Sequence, residues 1–134
     1  LSHRDRFNLV CYASDDIWRV WDDVFPFLQK GLDAGSDYVI DDILSGLECA
    51  EMQLWTAQDN GQIKAAMVTT LQDEHCLLLV AGGSEVQSWM QWLPVVEQWA
   101  KGCGVKEMRI YGRRGWLKVL PGFRERTTEM VKPL

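Results

Sequence analysis

Two stretches of this sequence carry residue types suited to holding an anion. The first is Gly112-Arg113-Arg114-Gly115-Trp116, where adjacent guanidinium groups lie between glycines and precede an indole. A guanidinium presents a rigid fork of N–H donors that meets a phosphate or carboxylate through two bonds at once. The second is Gly82-Gly83-Ser84-Glu85, whose glycines let a backbone approach a ligand closely. The charge distribution agrees with the first. The formal net charge is −5, yet Lys101 to Lys132 holds a basic surplus that includes Arg109, Arg113, Arg114, Arg124 and Arg126, while Asp15 to Glu51 is acidic. The plainer use of such a surplus is a solvated surface. The acidic total also argues against a nucleic-acid binder, which normally presents a basic face.

Metal chemistry is poorly provided for. Cys11, Cys49, Cys76 and Cys103 form no CxxC pair, and His3 and His75 are the only imidazoles, so no metal site is expected. Cys11 and Cys76 fall in apolar, strand-like runs and read as small hydrophobes. All four read as reduced thiols of a cytoplasmic protein. No apolar run approaches the ~18 residues of a membrane span, and the charged stretch Leu1 to Phe7 lacks the apolar core of a signal peptide.

The elements that must position these residues follow from periodicity. Phe7 to Tyr12 reads as a strand. Ser14, Asp15 and Asp16 offer a helix N-cap and a negative first turn, and Ile17, Trp21, Val24, Leu28 and Leu32 form one helical face. Pro26 lies inside that pattern and should kink or divide it, with Gly31 and Gly35 marking the exit. A second helix spans about Tyr38 to Cys49 with Ile40, Ile43, Leu44 and Leu47 buried. Met52 to Gln58 and Gln62 to Leu71 are strands joined by the turn Asp59-Asn60-Gly61. His75 to Ala81 is a buried strand ended by Gly82 and Gly83. Ser84 to Lys101 reads as a long helix bent at Pro94, with Trp89, Trp92 and Trp99 mostly in the core. Glu107 to Tyr111 is a strand, Trp116 to Leu120 a short helical turn, and Phe123 to Val131 a final strand. This describes one domain over 1–134 of mixed α/β class. It has a mostly antiparallel sheet, a central strand-helix-strand unit and helices on both faces. With 47% apolar residues and seven tryptophans, a chain of this length can bury a proper core.

This element order resembles the GNAT (Gcn5-related N-acetyltransferase) fold over nearly the whole chain. The likeness is sharpest where Leu77 to Val80 leads through glycines into the long helix. It is sharp again where Arg109-Ile110-Tyr111 leads into Gly112-Arg113-Arg114-Gly115-Trp116 and then Leu120-Pro121-Gly122-Phe123. The Gly-Arg-x-Gly-Trp pattern is also similar to small GNAT-related proteins of bacteriophages. The resemblance implies a cleft where the fourth and fifth strands splay apart, with acetyl-CoA lying in it. Its pantetheine would pair with the exposed edge at Leu79 and Val80. Its pyrophosphate would sit at Gly82, Gly83 and Ser84 on the N-terminus of the long helix. Arg113 or Arg114 would hold the ribose phosphate beside Trp116. An acceptor amine would attack the thioester directly, a carboxylate or water taking its proton and an acid protonating the leaving thiolate. The short helix before Gly122-Phe123 has no Tyr; Tyr111, nearby on the strand, is the candidate acid, though its ring also suits core or edge packing. Glu74 is the candidate base among Glu74, Glu107 and Glu125, each of which also reads as a surface charge.

The same residues support a second reading. Ser84 and Gln87 fit a capping box, which would satisfy the N–H groups a phosphate needs, and Glu85 adds a negative charge there. On that reading the chain is a GNAT-fold structural or interaction module, bound to a protein partner or to a second copy of itself, in a phage particle or its assembly.

Overall fold

The computed structural model describes residues 7–33, 38–83, 91–111, 124–126 and 129–134. In chain order these are β1 (Phe7–Tyr12), a 3-10 turn (Ser14–Asp16), α1 (Ile17–Asp33), α2 (Ile40–Glu48), β2 (Gln53–Asp59), β3 (Gln62–Leu71), β4 (His75–Gly83), α3 (Leu93–Gly102), β5 (Glu107–Tyr111), β6 (Arg124–Arg126) and β7 (Glu129–Pro133). The strands form one seven-stranded sheet in the order β1-β2-β3-β4-β5-β7-β6. All neighbours pair antiparallel except β4 and β5, which run parallel around the crossover that contains α3.

Helices cover both faces, as the periodicity requires. On one face Val24, Leu28 and Leu32 of α1 and Ile43 and Leu47 of α2 pack on Leu54, Ala66, Val68, Leu77, Leu79 and Val80. On the other, Leu93, Val96 and Ala100 of α3 pack on Trp55, Met67, Cys76, Leu78, Met108 and Ile110. Strands β2 to β5 are therefore apolar on alternate sides and buried twice over. Trp99 meets Trp55 edge-on with ring centroids 5.0 Å apart, so it belongs to the core. Trp18, off the stripe of α1, is 74% exposed.

The hairpin β2–β3 turns at Asn60 (φ 57°) and Gly61 (φ 81°), the two positive φ values that a type I′ turn demands and that Asn-Gly supplies.

Several local expectations are corrected. Ser14–Asp16 forms a 3-10 turn, with Asp16 N–H donating to Ala13 O and no side-chain cap. Pro26 does not divide α1, which runs unbroken for 17 residues. Both Pro26 and Asp22, whose carbonyl loses its partner, face water, which can replace the missing N–H. Gly31 lies inside α1 rather than past its end. Pro94 is not interior to a long helix. Gln91 and Trp92 form a turn, and α3 starts at Leu93 with Pro94 in its first turn, where a missing N–H costs nothing. The expected last strand is a hairpin of β6 and β7, paired Arg124↔Val131 to Arg126↔Glu129. Cys76 is buried, but Cys11 is exposed on the edge strand β1.

Candidate active site

The site begins with one extra residue in β4. Across β3, Val68 pairs with Val80 and Thr69 with Leu78, so Leu79 is left over as a bulge. The side chains confirm it. Cys76, Leu78 and Ala81 face α3, Leu77 faces α1 and α2, and Leu79 and Val80 in succession both face α1 and α2. A bulge bends its strand and increases its twist. Among the described residues, β4 pairs with β5 from His75↔Glu107 to Leu78↔Ile110, while its pairing with β3 continues past the bulge to Ala65↔Gly83. From Leu79 to Gly83, the side of β4 turned away from β3 has no strand partner among the described residues. Leu79 and Val80 are only 5% exposed. What they offer a ligand is backbone N–H and C=O, and such groups strongly favour being paired.

Gly82 and Gly83, expected to end the strand at Ala81, are themselves strand residues; they pair with Ala66 and Ala65. The bareness of Gly82 serves helix packing. A Cβ on Gly82 would stand 2.0 Å from the carbonyl oxygen of Phe27, and one on Gly31 would stand 2.6 Å from that of Ala81. The backbones of α1 and β4 touch at this crossing, which only glycine permits on each side.

The structure brings some of the predicted residues together and not others. Leu79, Val80, Gly82 and Gly83 line the open stretch of β4. Tyr111 is the next residue of β5 after the last pair with β4, level with Leu79, and its backbone pairs with Glu129 of β7. Glu74 is not brought to this place. It precedes β4 at the strand's opposite end, about five residues or roughly 16 Å from Leu79 at strand rise. There it is 74% exposed with its carboxylate 3.8 Å from the Lys106 ammonium. Its own carbonyl accepts from Lys106 N–H at 2.9 Å. Ser84, Arg113, Arg114 and Trp116 lie outside the described residues.

Lys30 joins the site without having been anticipated. From the last turn of α1 its Nζ donates to the carbonyl oxygen of Gly83 at 3.4 Å. The sequence held one signal for it: Lys30 and Arg19 are the only basic residues between Asp15 and Glu51.

Cys76 is no nucleophile in this arrangement. Burial pushes its thiol up to about 12, negative charge on Cys103 adds to the shift, and a hydrogen bond with Thr69 opposes it. The thiolate, which is the reactive form, is therefore scarce at neutral pH. Partial desolvation also raises Cys11, although its residue is exposed on β1. Among the described residues no three His, Cys, Asp or Glu side chains are grouped to hold a metal ion, and no helix is long and apolar enough to cross a membrane.

The sequence matches no family model and no curated protein. Solved structures are similar over nearly the whole chain. A probable acetyltransferase from Staphylococcus epidermidis superposes with a TM-score of 0.71 at 11% identity, covering 95% of this chain and 98% of its own. The PaiA N-acetyltransferase from Thermoplasma acidophilum, in complex with coenzyme A, gives 0.63 at 12% identity, covering 96% and 99%. A GNAT family acetyltransferase from Elizabethkingia anophelis with acetyl-CoA bound gives 0.61 at 16% identity, covering 97% and 99%. The chain has the fold of the GNAT acetyltransferases.

Proposed function

We propose that this GNAT-fold chain is an N-acyltransferase that moves an acetyl group from acetyl-CoA to an amine. The observation that carries the reading is the stretch Leu79 to Gly83, which follows the bulge at Leu79 and pairs on one side only among the described residues. The amides of a pantetheine arm can dock there as an added strand, taking main-chain hydrogen bonds that no described strand takes. The neighbours bound to coenzyme A and to acetyl-CoA support the choice of ligand.

In the reaction, the neutral amine attacks the thioester carbonyl. A C–N bond forms, the C–S bond breaks, the amine's surplus proton passes to water or a carboxylate, and the thiolate of coenzyme A takes a proton. Tyr111 is assigned that last transfer, since its position on β5 is level with Leu79. Ser84 with the backbone of Gly82 and Gly83 is assigned to the pyrophosphate, and Arg113, Arg114 and Trp116 to the nucleotide end. Glu74, at the far end of β4, is left without a part in this scheme.

Isothermal titration with acetyl-CoA tests the reading, followed by release of free coenzyme A thiol in the presence of small amines. Saturable binding and amine-dependent release are expected. No heat of binding at millimolar acetyl-CoA overturns it.

The position of Glu74 favours a second reading, a non-catalytic module that binds a protein partner or itself. A monomer by analytical ultracentrifugation that turns over acetyl-CoA, and loses turnover with Arg114→Ala, contradicts that alternative.

A further inference from the structure

We infer that Lys30, in the last turn of α1, is the cation that receives the pyrophosphate of the acyl donor. The inference rests on the acetyl-CoA reading above. The pantetheine arm, running along Leu79 to Gly83, ends at Gly83, and the phosphates follow it directly. At that point the sequence supplies no base of its own: Ala81-Gly82-Gly83-Ser84-Glu85 contains no Lys or Arg, and Glu85 carries the wrong sign.

The tertiary structure supplies one. The contact of α1 with β4 at Gly31 and Gly82 is backbone to backbone, which brings the last turn of α1 against the end of β4. Lys30 reaches the carbonyl oxygen of Gly83 from there. Its hold is weak, because 3.4 Å is at the long limit for an N–H···O bond. The bond also uses one of three ammonium donors, and no carboxylate within salt-bridge distance competes for them among the described residues. A phosphate arriving at Gly83 therefore meets an ammonium already near it and easily redirected. A simpler role for Lys30 is to complement the C-terminal dipole of α1. That role contributes to stability and is indifferent to ligand phosphate, so the two are separable.

The test is isothermal titration of the wild-type chain, Lys30→Met and Lys30→Arg with four ligands: coenzyme A, dephospho-coenzyme A, 4′-phosphopantetheine and pantetheine. Lys30→Met should weaken the first three by about tenfold, the size of one charge-assisted hydrogen bond, and leave pantetheine unchanged. Lys30→Arg should restore most of the loss. The difference between wild type and Lys30→Met should shrink as salt rises. Equal affinities for coenzyme A in wild type and Lys30→Met would overturn the inference, as would an equal loss with pantetheine. A loss confined to coenzyme A would place Lys30 on the 3′-phosphate and would also overturn it. If the wild-type chain binds none of the four, it is the acetyl-CoA reading that fails.

Discussion

Gly82 of β4 lies face to face with Phe27 of α1, so close that a β-carbon on the glycine would sit 2.0 Å from the phenylalanine's carbonyl oxygen. The obstacle is backbone, so no rotamer change relieves it. Gly82→Ala must push α1 off the sheet, and we expect a loss of about 2–3 kcal/mol in urea denaturation, in the range of overpacked cores. Wild-type stability for this variant would mean that α1 and β4 are not in backbone contact.

Tyr111 and Glu74 should separate in kinetics. Tyr111→Phe should lower kcat by about 100-fold, the size of a lost general acid. Glu74→Gln should leave both kcat and KM within about twofold, since its exposed carboxylate pairs only loosely with Lys106. A large fall in kcat with Glu74→Gln would return that residue to the reaction.

Glu97 on α3 is 8% exposed and accepts two hydrogen bonds from Lys132 Nζ on β7, at 2.6 and 2.9 Å. Lys132→Met leaves a carboxylate in a poorly solvated place and should cost about 2–3 kcal/mol. That is below the full range for buried pairs, because the lysine is partly exposed. Adding Glu97→Gln to Lys132→Met should recover part of the loss, a coupling that a double-mutant cycle in denaturant reads directly.

Cys76 makes stability fall in alkali. Its folded value of about 12 lies above the ordinary thiol value of 9.0, so the folded state holds the proton more tightly. Its contribution is fully present below about pH 9 and is lost as pH rises through the folded value. The urea midpoint should therefore decline from pH 9 upward, and the decline should be shallower in Cys76→Ala. In native protein at pH 8, iodoacetamide should modify Cys49 and Cys103 well before Cys76.

Gly61, at φ 81° in the β2–β3 turn, should cost about 1 kcal/mol when replaced by Ala, since a β-carbon disfavours that conformation. Thermal unfolding checks this, and no change in midpoint would argue against the type I′ turn.

The amphipathic stripe of α1 from Val24 to Leu32, the paired strands around Asn60-Gly61 and the buried run Leu77 to Val80 were legible in the sequence. Each is fixed by contacts between residues near in the chain, or by a two-state choice of which face is apolar. Their order was enough to point to the fold that the solved neighbours share. The features that shape the site were not legible, because they depend on partners far along the chain. The bulge at Leu79 is hidden in an unbroken apolar run, and only the register against Val68 and Thr69 reveals it. Gly82 reads as a turn or a ligand cradle until α1 is laid across it. Lys30 becomes part of the site only through a contact 53 residues away in sequence, and Glu74 leaves it because it stands at the other end of β4. Periodicity records which side of an element is apolar. It carries no record of where a strand is bent, or of which backbone it is pressed against, and both bear on the stretch from Leu79 to Gly83.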